Sequence, residues 1–476
     1  MKLIKKILRL AAALLLLGMI SSLGRAQQQT EGDTNPKPAA RANPVLINDI
    51  NTDDQASQTT LTPDQTSLTG AVVPTLGAPE VQHSYWVPGL SLQNVFQSPI
   101  NGTGSWISSS YLNGDLSLSL SSVHSQLGVD YTGGGYVTNS STMPSDYFNN
   151  LSLFESVHWG RWKLLFMDQF SYLPQSSFGF GGTSGIDVPG VGGSLGAGFP
   201  GLQVSYTPNQ SLFSSNGTRV NNAAIAQAEY ALTPRASLTA VGSYGILDFL
   251  QGNAINTDDA IFSLGYDYQI SRADTLGLLY RFMGYRYEGN PQALNDHSIN
   301  LAYGRKITGR LAFQLYGGPE VRTYRQPILG ATETVSYSAG WLVTYSYERS
   351  NLSFSYNHGL SGGSGVLIGS VMDQVNARFA YQLTRMWQAS TMVGYSKNGT
   401  VGGTPLYGSS QSFHSVFSSA GISRPLGRTA NLSVSYTFNY QNLNQPVCPM
   451  GGCGQNYTQH QIWIGFQWHA RPYVIR

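Results

Sequence analysis

The stretch from Asn431 to Gln441 constrains this chain more than any other. Its even positions are Leu432, Val434, Tyr436, Phe438 and Tyr440, and its odd positions are Asn431, Ser433, Ser435, Thr437, Asn439 and Gln441. Successive side chains leave a strand on opposite faces, so this alternation predicts a β-strand with one apolar face and one small, polar, uncharged face. At about 3.3 Å per residue and a tilt of about 40°, the stretch rises about 28 Å, near the apolar height of a bilayer. A strand of that height, greasy on one side and wet on the other, fits between lipid and water.

Composition agrees. Charged residues make up 11% of the chain, whereas a soluble domain carries about 25%. Strands that give half their side chains to lipid explain the deficit. No stretch beyond the N-terminus approaches about 18 consecutive apolar residues, which excludes helical spans and leaves a closed barrel as the way through a membrane.

Residues 1–26 read as a secretory signal peptide: a basic start, an apolar run from Leu10 to Ile20, and Gly24 and Ala26 before a cleavage point. The apolar run is too short to span a bilayer. Without Lys2, Lys5, Lys6, Arg9 and Arg25, 22 of the 27 basic residues remain against 25 acidic ones, so the balance turns slightly negative and nothing favours nucleic acid. Residues 27–84 are polar, rich in Thr, Asp, Gln, Asn and Pro and without sustained period, which reads as a disordered periplasmic linker. A plug or energy-coupling segment is the sharper alternative, but the stretch is short and polar for a folded plug.

From Tyr85 onward alternating segments recur. Tight connections fall near Val123 to Ser125, Gly160, Thr233-Pro234, Ser271 to Ala273, Thr308-Gly309, Arg349-Ser350, Thr384-Arg385 and Leu426-Gly427, and from Thr233 they lie about 40 residues apart. That period is two strands, one long loop and one tight turn. Eight tight turns imply nine longer loops and eighteen strands, or sixteen if the weak strand near Gly89 to Gln97 fails. The fold class is therefore all-β: a transmembrane antiparallel up-and-down β-barrel over residues 85–468, with a tail at 469–476. Trp159, Trp162, Tyr268, Tyr381, Trp387 and Trp468 cluster where strands meet turns, as an interfacial girdle does.

The pattern resembles bacterial outer-membrane barrels of the porin type, and phrases such as Ser176-Ser177-Phe178-Gly179-Phe180-Gly181-Gly182, Gly362-Gly363-Ser364-Gly365-Val366-Leu367 and Arg424-Pro425-Leu426-Gly427-Arg428 resemble a family of uncharacterised barrels. The resemblance implies the bacterial cell outer membrane as location, its lipids and the barrel-assembly machinery as partners, and no chemistry. Such barrels usually end on an aromatic residue, whereas eight residues follow Trp468 here; either the tail hangs free or the last strand runs further.

A lumen of about eighteen strands is too wide for side chains to fill. With the apolar face outward, Asp267, Arg281, Gln314, Glu320, Arg322, Asn376 and Arg378 point inward among many hydroxyls and amides such as Asn300, Ser355 and Thr437. A nearly neutral lining predicts weak ion selectivity and passage of small, uncharged polar solutes. The longest loop, from about Leu173 to Asn221, is Gly-rich with few charges, and its Phe178, Phe180 and Phe199 are candidates to narrow the pore. The alternatives are a barrel serving export of a polysaccharide or other polymer, and a structural or adhesive surface barrel with a closed lumen. The oligomeric state stays open, a trimer among the options.

Cys448 and Cys453 predict a disulfide at a loop tip of an exported protein; with Met450 they would make only a thin metal site. His358 with Asn357, Ser361 and Ser364 is a weak trace of a serine hydrolase, lacking nucleophile-elbow spacing and an evident orienting acid. No Walker loop, zinc helix motif or dinucleotide fingerprint is present, so no enzyme and no cofactor is expected.

Overall fold

The computed structural model describes residues 84–99, 104–139, 146–173, 218–250, 254–328, 331–363, 365, 367–401, 412–443 and 456–475. The expected signal peptide and most of the linker, Phe178, Phe180 and Phe199 of the long loop, and Cys448 and Cys453 lie outside these residues.

The strands form nine hairpins in chain order. They are β1 (Tyr85–Gln97) and β2 (Ile107–Ser121); β3 (Ser125–Thr138) and β4 (Asp146–Trp159); β5 (Trp162–Leu173) and β6 (Arg219–Thr233). Next come β7 (Ala236–Phe249) and β8 (Thr257–Gln269); β9 (Asp274–Tyr287) and β10 (Ala293–Lys306); β11 (Leu311–Ile328) and β12 (Ala331–Tyr347). The last three are β13 (Ser350–Ser361) and β14 (Ser370–Gln382); β15 (Gln388–Thr400) and β16 (Ser412–Leu426); β17 (Ala430–Leu443) and β18 (Tyr457–His469). Every strand pairs antiparallel with its sequence neighbours, and β1 pairs with β18 as well as β2, so eighteen strands close on themselves. Closure leaves no edge, which lipid demands: an unpaired backbone group there costs several kcal/mol. The weak first strand is present and begins at Tyr85, four residues earlier than the alternation suggests.

All eight tight turns occur where spacing placed them, and the recurrent Thr or Ser has a local cause. The Thr308 hydroxyl accepts from the backbone N–H of Arg310 (3.1 Å) and Leu311 (3.0 Å), and Thr384 does the same for Met386 (3.2 Å) and Trp387 (3.1 Å). Ser271 accepts from Ala273 and Asp274, both at 3.0 Å. A side-chain oxygen thus caps N–H groups that the turn frees. The Arg310 guanidinium lies 4.5 Å over the Tyr347 ring, so the basic residue of this turn covers girdle surface.

The two faces differ as the alternation requires. On β10, Leu301 is 56% exposed while Asn300 and Ala302 beside it are 0% and 2% exposed. Leu278, Ile299, Leu352, Val393, Val434 and Ile464 also face outward, with Trp159, Trp162, Tyr268, Tyr381 and Trp468 exposed near the tight turns. The structure is an eighteen-stranded closed barrel with an apolar outer face, the architecture of transmembrane β-barrels.

The tail does not hang free. The Ala470 N–H donates to the Pro88 carbonyl (2.8 Å), and the two-residue β19 (Tyr473–Val474) pairs with Trp86 and Tyr85. The register runs from Gly89↔His469 to Trp86↔Tyr473, so three tail residues oppose two of β1. This is a β-bulge within residues 470–472, opposite Val87 and Pro88. Beyond it the last strand resumes, and Tyr473 stacks on Trp86 with ring centroids 4.8 Å apart.

Candidate pore lining and mouth

Asp267, Arg281, Gln314, Glu320, Arg322, Asn376 and Arg378 all occupy the inner side of the alternation, but only three of them come together. Arg281, Glu320 and Arg322 meet on β9 to β11 with Asp296, which sequence reasoning passed over. In the register Arg281 faces Ser298 and Ser298 faces Glu320, while Asp296 faces Arg322. The Arg322 guanidinium contacts Glu320 and approaches Asp296 at 3.5 Å, with the three side chains almost wholly buried. Asn300, on the same strand and parity, was the signal that could have revealed Asp296. Asp267, Gln314 and Arg378 lie nearer the tight turns.

Strand parity and a glycine position the neighbouring polar contact. Tyr316 on β11 donates to Asn357 on β13, reaching over Gly340 of the intervening β12. A Cβ at Gly340 would fall 2.5 Å from the Tyr316 ring. Ser338 donates to Asn300 (2.7 Å), extending the network across β10 to β13. The long loop is shorter than expected, because Arg219 and Asn221 already belong to β6 and are buried on its inner side.

Around the circle, β10 and β1 lie nine strands apart in either direction. The wall on β15 to β18 and β1 differs from the charged one: Ser396, Asn398, Ser435, Asn439, Gln459 and Gln93 bring hydroxyls and amides. Beside it, inward Tyr111, Tyr136, Phe148, Val95 and Trp463 pack as one cluster, with Tyr111 at 5.0 Å from Tyr136 and 6.2 Å from Trp463 between ring centroids. The rule of apolar outward and polar inward is therefore incomplete.

A larger inner apolar cluster joins Leu165, Met167, Ile225, Ile261, Met283, Tyr285, Tyr287 and Leu294 with Leu360 and Val401. Part of its cover is the β13–β14 connection, the Gly-rich phrase at 362–369. The Ile255 N–H donates to the Gly365 carbonyl (2.8 Å), the Leu367 N–H to Gly363 (3.0 Å), and the Ser361 and Ser370 hydroxyls meet at 2.9 Å. Gly363, Gly365 and Gly369 have φ of +87°, +77° and +74°, and a Cβ at Gly365 would lie 2.3 Å from the Phe249 ring. Only glycine tolerates that conformation and closeness. The connection thus crosses from β13 to the loop ends of β7 to β10.

Among the described residues the hydrolase trace does not assemble. His358 does have an acid, Asp373 at 2.7 Å from its Nδ1, and Tyr337 stacks on its ring. Asn357 is taken by Tyr316 and Ser361 by Ser370. Ser364 lies outside the described residues.

No family model and no curated protein matches the chain. Among solved structures it is similar to Pseudomonas aeruginosa OccK2 (OpdF) in complex with glucuronate, at 11% identity and TM-score 0.43, over 81% of this chain and 98% of that one. The outer membrane protein opdK from Pseudomonas aeruginosa gives 12% identity and TM-score 0.41 over 82% and 99%. Acinetobacter baumannii OccAB3 gives 11% and 0.40 over 82% and 100%.

Proposed function

We propose that this barrel is an outer-membrane channel for passive passage of small polar solutes, uncharged ones foremost, and that sugar-like molecules are the class it suits best. The observation that carries this reading is the split inner surface. One wall holds acids and bases in near balance, Asp296 and Glu320 against Arg281 and Arg322, so neither sign of ion gains a continuous path of opposite charge. The other wall holds amides and hydroxyls next to stacked aromatics, the combination that hydrogen-bonds hydroxyl groups and packs against the apolar face of a sugar ring.

The mouth connection at 362–369 restricts size on the loop side, and we assign a second narrowing to Phe178, Phe180 and Phe199. Reconstituted barrels are expected to give steady single-channel steps with cation and anion permeabilities within about threefold. Liposomes carrying them should swell faster in a neutral monosaccharide than in an anion or cation of the same size. Electrically silent barrels that are fully folded, or strong preference for one sign of ion, would overturn the reading.

A further inference from the structure

The outer face carries a repeated polar contact that the channel does not use. Among the described residues, in six of the nine loop-bearing hairpins a residue on the first strand bonds diagonally to the second strand, two residues toward the loop from its direct register partner. The pairs are Tyr131–Asn149 (2.8 Å), Asp168–Asn222 (2.9 Å), Tyr280–His297 (2.9 Å), Tyr356–Asp373 (2.9 Å), Tyr395–His414 (2.8 Å) and Tyr436–His460 (2.7 Å). Their direct register partners are Leu151, Ala224, Ile299, Val375, Val416 and Ile462.

The second member of each pair stands about nine to twelve residues above the tight-turn end of its strand. That is about 23–30 Å along the axis at about 3.3 Å per residue and about 40° tilt, the height of the apolar band. These contacts form a polar ring where hydrocarbon gives way to headgroups on the loop side.

We propose that the three histidine members, His297, His414 and His460, are seats for the phosphate groups of lipids in the loop-side leaflet. A tyrosine hydroxyl donating to Nδ1 keeps the neutral imidazole's proton on Nε2, and an imidazolium can donate from Nδ1 back to the phenol oxygen. In either state Nε2–H is a donor to the lipid side, and the charged state strengthens it.

The surroundings suit an anion. Phe282, Val321 and Thr323 flank His297; Tyr440, Asn442 and Lys397 flank His414; Phe438 and Ser98 flank His460. Lys397 is the one formal charge among these groups, and it is a cation directly opposite His414. His358 differs, because Asp373 meets its Nδ1 and supplies the negative charge itself. The phosphate seats therefore occupy the sector of β9–β10 and β15–β18.

Full-length barrels washed from phosphatidylglycerol vesicles can be assayed for retained lipid phosphorus at about pH 5.5 and about pH 8. The wild type is expected to retain at least about twofold more at the lower pH. The triple variant H297Q/H414Q/H460Q, whose amides can still accept the tyrosine hydroxyls, should lose that difference. Equal retention at both pH values, or an unchanged difference in the folded variant, overturns the proposal.

Should the triple variant fail to fold, the wild type decides alone. Its unfolding temperature at the lower pH should be higher in phosphatidylglycerol than in a phosphate-free galactolipid of the same chains, with the gap shrinking at the higher pH. A gap independent of pH overturns the proposal equally.

Discussion

Gly340 decides where an inner polar contact can form. Its missing side chain lets the Tyr316 ring lie across β12 and reach Asn357 two strands away. A methyl group placed 2.5 Å from that ring must push it aside and free both the phenol and the amide. Gly340→Ala is expected to cost about 1–3 kcal/mol, the range for orphaning a buried polar partner. Gly242→Ala is the control, since a Cβ there meets nothing within 4 Å; it should stay within about 0.5 kcal/mol of wild type. Urea midpoints of the two variants in the same detergent check the contrast, and equal losses would show that strand glycine content, and not this close approach, governs the site. The role of Gly340 was not legible in the sequence, because it depends on which residue sits in register on β11.

At the scale of elements, the sequence was legible wherever period two meets a tight turn. Alternation placed Val434 and Tyr436 outside and Ser435 and Thr437 inside, and the turn hydroxyls of Thr308 and Thr384 marked the hairpin period. It failed near the loop ends, where Tyr285, Tyr287 and Leu294 are apolar yet inward. Such residues look lipid-facing until the 362–369 connection is seen to cover them. That connection is held by conformations reserved for glycine. At Gly363, with φ at +87°, a Cβ would also lie 2.0 Å from the Leu367 carbonyl oxygen, a backbone atom that cannot step aside. Gly363→Ala should therefore release the connection at a cost of about 1–2 kcal/mol for the left-handed conformation alone. Single-channel recording should show larger or noisier steps than wild type. Unchanged conductance would mean that the connection does not limit the mouth.

For the whole molecule, the decisive feature is the seam where the first and last strands meet. Pairing of β1 with β18 runs from Gly89↔His469 to Gln97↔Gln461, and the tail carries the seam past the bulge at 470–472 to Tyr85↔Val474. Trp468 was expected to be followed by a free end or a longer strand; the strand resumes only after a bulge, which alternation cannot reveal because parity breaks there. Without the tail, Tyr85 and Trp86 would keep β2 on one side and offer open backbone groups on the other. Trp86 would also lose its stacked partner. Ending the chain at His469 removes the Ala470 and Ile475 backbone bonds as well as the β19 pair. At about 0.5–1.5 kcal/mol net per hydrogen bond, the seam should weaken by a few kcal/mol while β2 to β17 are untouched. Unfolding followed by the gel shift between folded and heated barrel should therefore begin at a lower temperature. Hydrogen exchange should quicken first at residues 85–88. If exchange instead rises evenly around the barrel, the seam is not the weak point, and the tail's contribution is to assembly and not to closure.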